Sequence, residues 1–225
     1  MIRAILTDIE GTTTSIRFVH DVLFPYAAAQ MERFICEHQS TEAVSQELDS
    51  VASLAEIERN DTPALVQQLL TWIRDDKKIT PLKALQGLIW KDGYERGDFT
   101  GHIYDDVPAL LEAWKDEGLA LYVYSSGSVQ AQKLLFSHTE YGDLSRFFDG
   151  YFDTKVGAKQ ESRSYATIAQ SIGLPASEVL FLSDIEAELR AADEAGMSTR
   201  WLVRDGGVPD APAFRVAQNF TELRF

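Results

Sequence analysis

The sequence predicts an α/β protein: a doubly wound, mostly parallel sheet core with a helical cap domain inserted after the first strand. Three observations carry that reading. Residues 2–7 form a short apolar run closed by polar and glycine positions, the signature of a buried strand. From Phe18 to about Gly97, apolar side chains recur only at helical spacing. Beyond Thr100, apolar strands alternate with helices, a pattern that builds a parallel sheet covered on both faces. The core is then expected over residues 1–17 and 101–225, and the inserted cap over residues 18–100.

Each element has its own signal. Val19, Val22, Leu23, Tyr26 and Ala27 line one face of a helix over residues 18–38, which Pro25 should bend or restart. A second helix covers residues 42–58. Two more begin at Asp61-Thr62-Pro63 and Ile79-Thr80-Pro81, each with threonine as the N-cap ahead of a first-turn proline. In the core, Pro108 opens a helix that runs to Lys115 and closes at Gly118. A strand at residues 119–124, a helix at 129–136 and a short strand at 150–153 follow. The helix at 161–172 stops at Gly173-Leu174-Pro175, and strand 179–182, helix 187–195 and a last strand at 199–203 complete the order.

The formal charge of −14 argues against nucleic acid or anionic lipid as a partner, since either would be repelled. An anionic substrate therefore needs a local cationic spot: a metal ion, a lysine or a helix N-terminus. A single cysteine, Cys36, rules out an internal disulfide and fits a reducing compartment; on its helix it reads as a small hydrophobe. No apolar run approaches the roughly 20 residues that span a bilayer. The first strand begins at once, leaving no room for a signal peptide. The expected location is the cytoplasm, with no membrane partner.

The chemistry collects where the core strands end. Asp8 and Glu10 follow the first strand within Asp8-Ile9-Glu10-Gly11-Thr12-Thr13-Thr14. If the extended geometry persists, two carboxylates two residues apart point the same way. Ser125-Ser126-Gly127-Ser128 follows the second strand and opens a helix; Lys155 and Lys159 follow the short strand; Ser183-Asp184 follows the next, with Glu186 and Glu188 behind. Sequence-distant groups on one rim are what a catalytic centre requires. Asp8 is a carboxylate able to attack phosphorus, and Glu10 can protonate a leaving oxygen and then activate water. Asp8 and Asp184 are hard oxygen ligands suited to Mg²⁺. Ser125 and the amides at Ser126-Gly127 suit phosphate oxygens, and Lys159 adds positive charge opposite the metal.

These residues resemble the haloacid dehalogenase superfamily of phosphohydrolases, with one departure: Glu10 stands where the usual pattern has a second aspartate. That departure, with Leu23-Phe24-Pro25-Tyr26, Ala84-Leu85-Gln86-Gly87, the run from Tyr124 to Phe136 and Phe152-Asp153-Thr154-Lys155-Val156-Gly157, is similar to the enolase-phosphatases of methionine salvage. The similarity runs through nearly the whole chain. It implies an enzyme that enolises 2,3-diketo-5-methylthiopentyl-1-phosphate and then removes its phosphate, with one Mg²⁺ per chain. By position it assigns Asp8, Glu10 and Asp184 to the metal, and Ser125, Ser126 and Lys159 to the substrate phosphate. Glu10 reaches the metal either by its side chain or by its backbone carbonyl. By its own spacing, Glu188 lies one helical turn after Asp184 and is either support behind the metal or a solvated side chain. The family also implies a small phosphorylated substrate and a monomer. The rival is another capped phosphatase of the same superfamily acting on a sugar phosphate, which would release no ultraviolet-absorbing enediol.

Other residues read as structure. His20, His38, His102 and His138 show no ligand spacing, and Trp72 and Trp114 lie on apolar helical faces. Gln86, Trp90 and Phe18 are candidates for the methylthio-diketone tail. Arg204-Asp205-Gly206-Gly207 reads as a turn without a role.

Overall fold

The chain enters its core in β1 (Ala4–Thr7), buried at all four positions. The computed structural model describes residues 1–224, which divide into two compact units: residues 17–99, and residues 1–16 with 100 onward. Into the first unit, α1 (Ile16–Phe18) passes through a π-helical turn at Val19–Leu23 to α2 (Phe24–His38). Pro25 accounts for that turn. It has no amide to return to residue 21, and Phe24 N–H reaches the carbonyl of Val19, five residues back. The proline is thus taken up in a widened turn rather than in a break.

The unit is completed by α3 (Glu42–Ala55), α4 (Thr62–Arg74) and α5 (Thr80–Arg96). Its core joins Ala27, Met31 and Ile35 to Leu48 and Val51, Leu65 and Leu69, and Leu82 and Leu85. Each set recurs at three- or four-residue steps, so every helix contributes one apolar stripe. The threonine caps expected at 62 and 80 are corrected, because both residues lie inside their helices. Asp61 caps α4, its Oδ1 accepting from Ala64 N–H at 3.0 Å. Helix α5 starts after Ile79 with no side-chain cap. Cys36 is also corrected: it is exposed, off the buried stripe of Phe34 and Ile35. Trp90 donates to the carbonyl of Leu23 at 2.8 Å and stacks on Phe24.

The second unit continues through α6 (Val107–Asp116), β2 (Ala120–Tyr124), α7 (Val129–Ser137), β3 (Gly150–Phe152), α8 (Ser162–Ile172), β4 (Val179–Ser183), α9 (Glu186–Glu194), β5 (Ser198–Leu202) and β6 (Val216–Ala217). The strand order is β3-β2-β1-β4-β5-β6, and every neighbouring pair is parallel. Strand β6 escaped the sequence reading because two residues show no periodicity. On one face Leu6, Val179 and Phe181 pack with Tyr165 and Ile168 of α8 and Leu189 and Ala192 of α9. Helices α6 and α7 pack on β2 and β3. Helix α8 ends at Gly173 with φ +78°, where the amides of Gly173 and Leu174 both return to the carbonyl of Ala169. No described helix is long and apolar enough to cross a membrane.

Two facts of this sheet position the chemistry. The chain builds outward from β1 to β3 on one side, then continues on the other at β4, so the order reverses beside β1. Crevices outside the carboxyl ends of strands open at such reversals. The register sets Thr7 level with Val123 of β2 and Leu182 of β4, so the residues that follow these strands emerge side by side.

Candidate active site

Asp8 is the first residue beyond β1. Its amide donates to the carbonyl of Leu182 at 2.9 Å, and its side chain is buried. The backbone then turns: the amides of Thr12, Thr13 and Thr14 all converge on the carbonyl of Ile9, and Gly11 N–H bonds to the carbonyl of Thr14. Glu10 is therefore placed by this turn and not by continued strand alternation. The three threonines are fully buried, and Thr13 Oγ1 lies 3.3 Å from the carbonyl of Ile9. They hold the loop, a role the sequence did not signal.

Gly11 at the turn has φ +72°, and a methyl group there would sit 2.1 Å from Oδ2 of Asp184. The carboxylate of Asp184 thus lies directly across the glycine backbone. Gly11→Ala is expected to cost at least about 1–2 kcal/mol from the left-handed backbone alone and to displace Asp184; denaturant unfolding measures the first effect.

Ser125 follows β2 and is fully buried. Its hydroxyl donates to Glu10 Oε2 at 3.2 Å and accepts from Gly127 N–H at 3.1 Å. This corrects one detail of the expected anion site, since the Gly127 amide is engaged by Ser125. Ser128 caps α7, accepting from Ala131 N–H, and Ser126 stands exposed on the same loop. Gln132, not singled out from sequence, braces this loop by donating to the carbonyls of Gly127 and Phe152, both at 2.8 Å.

Lys159 arrives from the loop after β3, its own carbonyl accepting from Tyr165 Oη at 2.7 Å. Its ammonium contacts Asp8 Oδ1 at 2.5 Å and Glu188 Oε2 at 2.7 Å, with side chains of all three about one-tenth exposed or less. Burial lowers the ammonium's pKa, but the charges of Asp8 and Glu188 more than reverse this, so it stays charged. Lys155 is exposed and is not drawn into the cluster. Glu188, in the first turn of α9, also accepts from Ser183 Oγ at 3.0 Å. Its direct partners are thus Lys159 and Ser183.

The cluster holds four carboxyl groups, Asp8, Glu10, Asp184 and Glu188, against one ammonium, Lys159. Burial first, and the Asp8 charge second, push Asp184 and Glu188 each up to about 7 and raise Glu10 as well. Oδ1 of Asp184 is buried with no hydrogen-bond partner among the described residues. Surplus negative charge and an orphaned hard oxygen fit a divalent cation. No three His, Cys, Asp or Glu side chains among the described residues cluster as a cage.

A family model for haloacid dehalogenase-like hydrolases matches residues 2–196, the class that this fold and this rim of groups define. The chain is 54% identical over 224 residues to an enolase-phosphatase E1 of Marinobacter nauticus, covering 99% of this chain and 97% of that one. It is 56% identical to the enolase-phosphatase E1 of Methylococcus capsulatus, over 92% and 91% of the two chains. The crystal structure of UTR4 protein from Saccharomyces cerevisiae superposes with a TM-score of 0.84 at 36% identity, covering 99% of this chain and 100% of that one. The chain belongs to the enolase-phosphatase E1 family of haloacid dehalogenase-like hydrolases and is a phosphatase that acts on a small phosphorylated substrate.

Proposed function

We propose that the enzyme enolises 2,3-diketo-5-methylthiopentyl-1-phosphate and then removes its phosphate through an aspartyl-phosphate, releasing an acireductone in methionine salvage. One observation carries the reading: the buried Lys159–Asp8 contact at 2.5 Å beside the unpartnered Asp184 oxygen. It occurs on a chain more than half identical to named enolase-phosphatases. Asp8 attacks phosphorus. Glu10, whose raised pKa favours the protonated form, gives its proton to the leaving ester oxygen and then takes one from the hydrolytic water. Lys159 offsets charge on the transferring phosphoryl group, with Glu188 and Ser183 keeping its ammonium aimed. Ser125 and Ser126 receive the remaining phosphate oxygens.

One Mg²⁺ per chain would be held by Asp8, Asp184 and the backbone carbonyl of Glu10, whose side chain Ser125 engages. When bound it neutralises negative charge and polarises the phosphoryl oxygens. Residues 18–100, the inserted helical unit, set which phosphate esters the enzyme accepts. The enzyme works as a cytoplasmic monomer.

The test offers the diketo phosphate ester with Mg²⁺ and follows inorganic phosphate together with enediol absorbance. Both should rise; phosphate without enediol would point to a simple sugar-phosphate phosphatase. Chelation should abolish phosphate release, and added Mg²⁺ should restore it. Mg²⁺ at 100 times its dissociation constant should also stabilise the fold by about 2.7 kcal/mol, read as a rise in melting temperature. A fold indifferent to Mg²⁺ and full activity in chelator would remove the metal from the reading.

A further inference from the structure

Arg204, in the turn that the sequence leaves without a role, has a side chain only 5% exposed. Its Nε donates to the carbonyl of Thr12 at 2.9 Å, and its Nη1 donates to both oxygens of Asp106 at 2.8 Å. The rings of Tyr104 and Phe220 lie 4.4 and 4.9 Å from the guanidinium. Asp106 also accepts from Phe220 N–H at 2.7 Å, and Tyr104 N–H donates to the carbonyl of Thr13 at 3.0 Å. One buried cation therefore ties three separate stretches of chain together: residues 12–13, 104–106 and 220.

The first of these stretches is the turn that carries the chemistry. Thr12 adjoins Gly11, across which Asp184 lies, and is two residues from Glu10. The amides of Thr12, Thr13 and Thr14 bond within the turn, to the carbonyl of Ile9. The outward anchor at the Thr12 carbonyl is Arg204. Stability alone explains this arrangement poorly. A buried ion pair seldom outperforms apolar residues of the same volume, and Nη2 of Arg204 is buried without a partner among the described residues. What a planar guanidinium supplies is direction, because its donors leave in fixed orientations.

We infer that Arg204 is a positioning residue of the active site, which holds the Thr12 carbonyl and so fixes the Glu10–Gly11 turn against Asp184. The inference rests on the functional reading above. Lysine at this position keeps the charge and loses the fork; Asp106→Asn keeps the shape and loses the counter-charge. Both Arg204→Lys and Asp106→Asn are expected to lower kcat about tenfold or more and to weaken Mg²⁺ binding by a similar factor, with substrate KM little changed. Calorimetry with Mg²⁺ alone, in the absence of substrate, reads the second effect independently of turnover. Circular dichroism and thermal melting check that the variants are folded.

Wild-type protein without Mg²⁺-dependent phosphate release would defeat the functional reading itself. With wild-type activity intact, three results would each overturn only the assignment of Arg204: unchanged kcat and Mg²⁺ affinity in the folded variants, a fall in melting temperature alone, or failure of both variants to fold. Any of them would make Arg204 a structural residue.

Discussion

Asp8→Asn is expected to lower phosphate release by on the order of 10⁴-fold or more, as loss of a covalent nucleophile does, in a chain that still folds. The amide matches the carboxylate in shape, so the buried position after β1 stays filled and the bond from Asp8 N–H to Leu182 is kept. What disappears is the charge proposed to attack phosphorus and one of the two ion pairs that Lys159 makes. Enolisation needs no phosphoenzyme, so part of it should survive. In deuterated water the variant should still exchange the C1 proton of the substrate, followed by NMR, while inorganic phosphate stays near background. Phosphate release close to the wild-type rate would show that another group attacks.

Lys159→Met should act on both rate and stability. Removing the buried ammonium that pairs with Asp8 is expected, on the proposed mechanism, to cost about 10²–10³-fold in kcat, comparable to loss of a preorganised electrostatic donor. It also leaves Asp8 and Glu188 buried without their shared cation. Breaking one side of a buried pair typically costs about 3–5 kcal/mol, measured here by denaturant unfolding of the metal-free protein. The companion change Glu188→Gln should recover part of that loss in the Lys159→Met background, because it removes one of the two stranded charges. Strict additivity of the two changes, or a Lys159→Met variant as stable as wild type, would contradict the pairing described here.

Part of this site was legible before any coordinates. Asp8, Ser125 and Asp184 each follow a short apolar run, and in a parallel sheet all such runs end on one rim. The strand order and the register of Thr7 with Val123 and Leu182 supply the remaining precision. Lys159 was legible by residue type and position, but its contact with Glu188 was not. One turn after Asp184, the spacing leaves Glu188 open between backing for a metal and a solvated side chain; the structure joins it to Lys159 and Ser183. The caps illustrate a smaller miss. Threonine before proline is a sound N-cap signal, yet Asp61 offers a carboxylate one residue earlier and takes the Ala64 amide. Gln132 and Arg204 carried no signal at all, since neither a helix-borne glutamine nor an arginine in a turn differs from its neighbours in pattern.

The sequence by itself determined the class of fold, the interruption after the first strand and the set of groups available for chemistry, because helical spacing, apolar runs and turn residues act between near neighbours. Only the tertiary structure decided which of those groups touch. Lys159 meets Asp8 across 151 positions and Arg204 meets Thr12 across 192. Such contacts form where strand register and helix packing bring remote segments within bonding distance, and no local pattern encodes that distance.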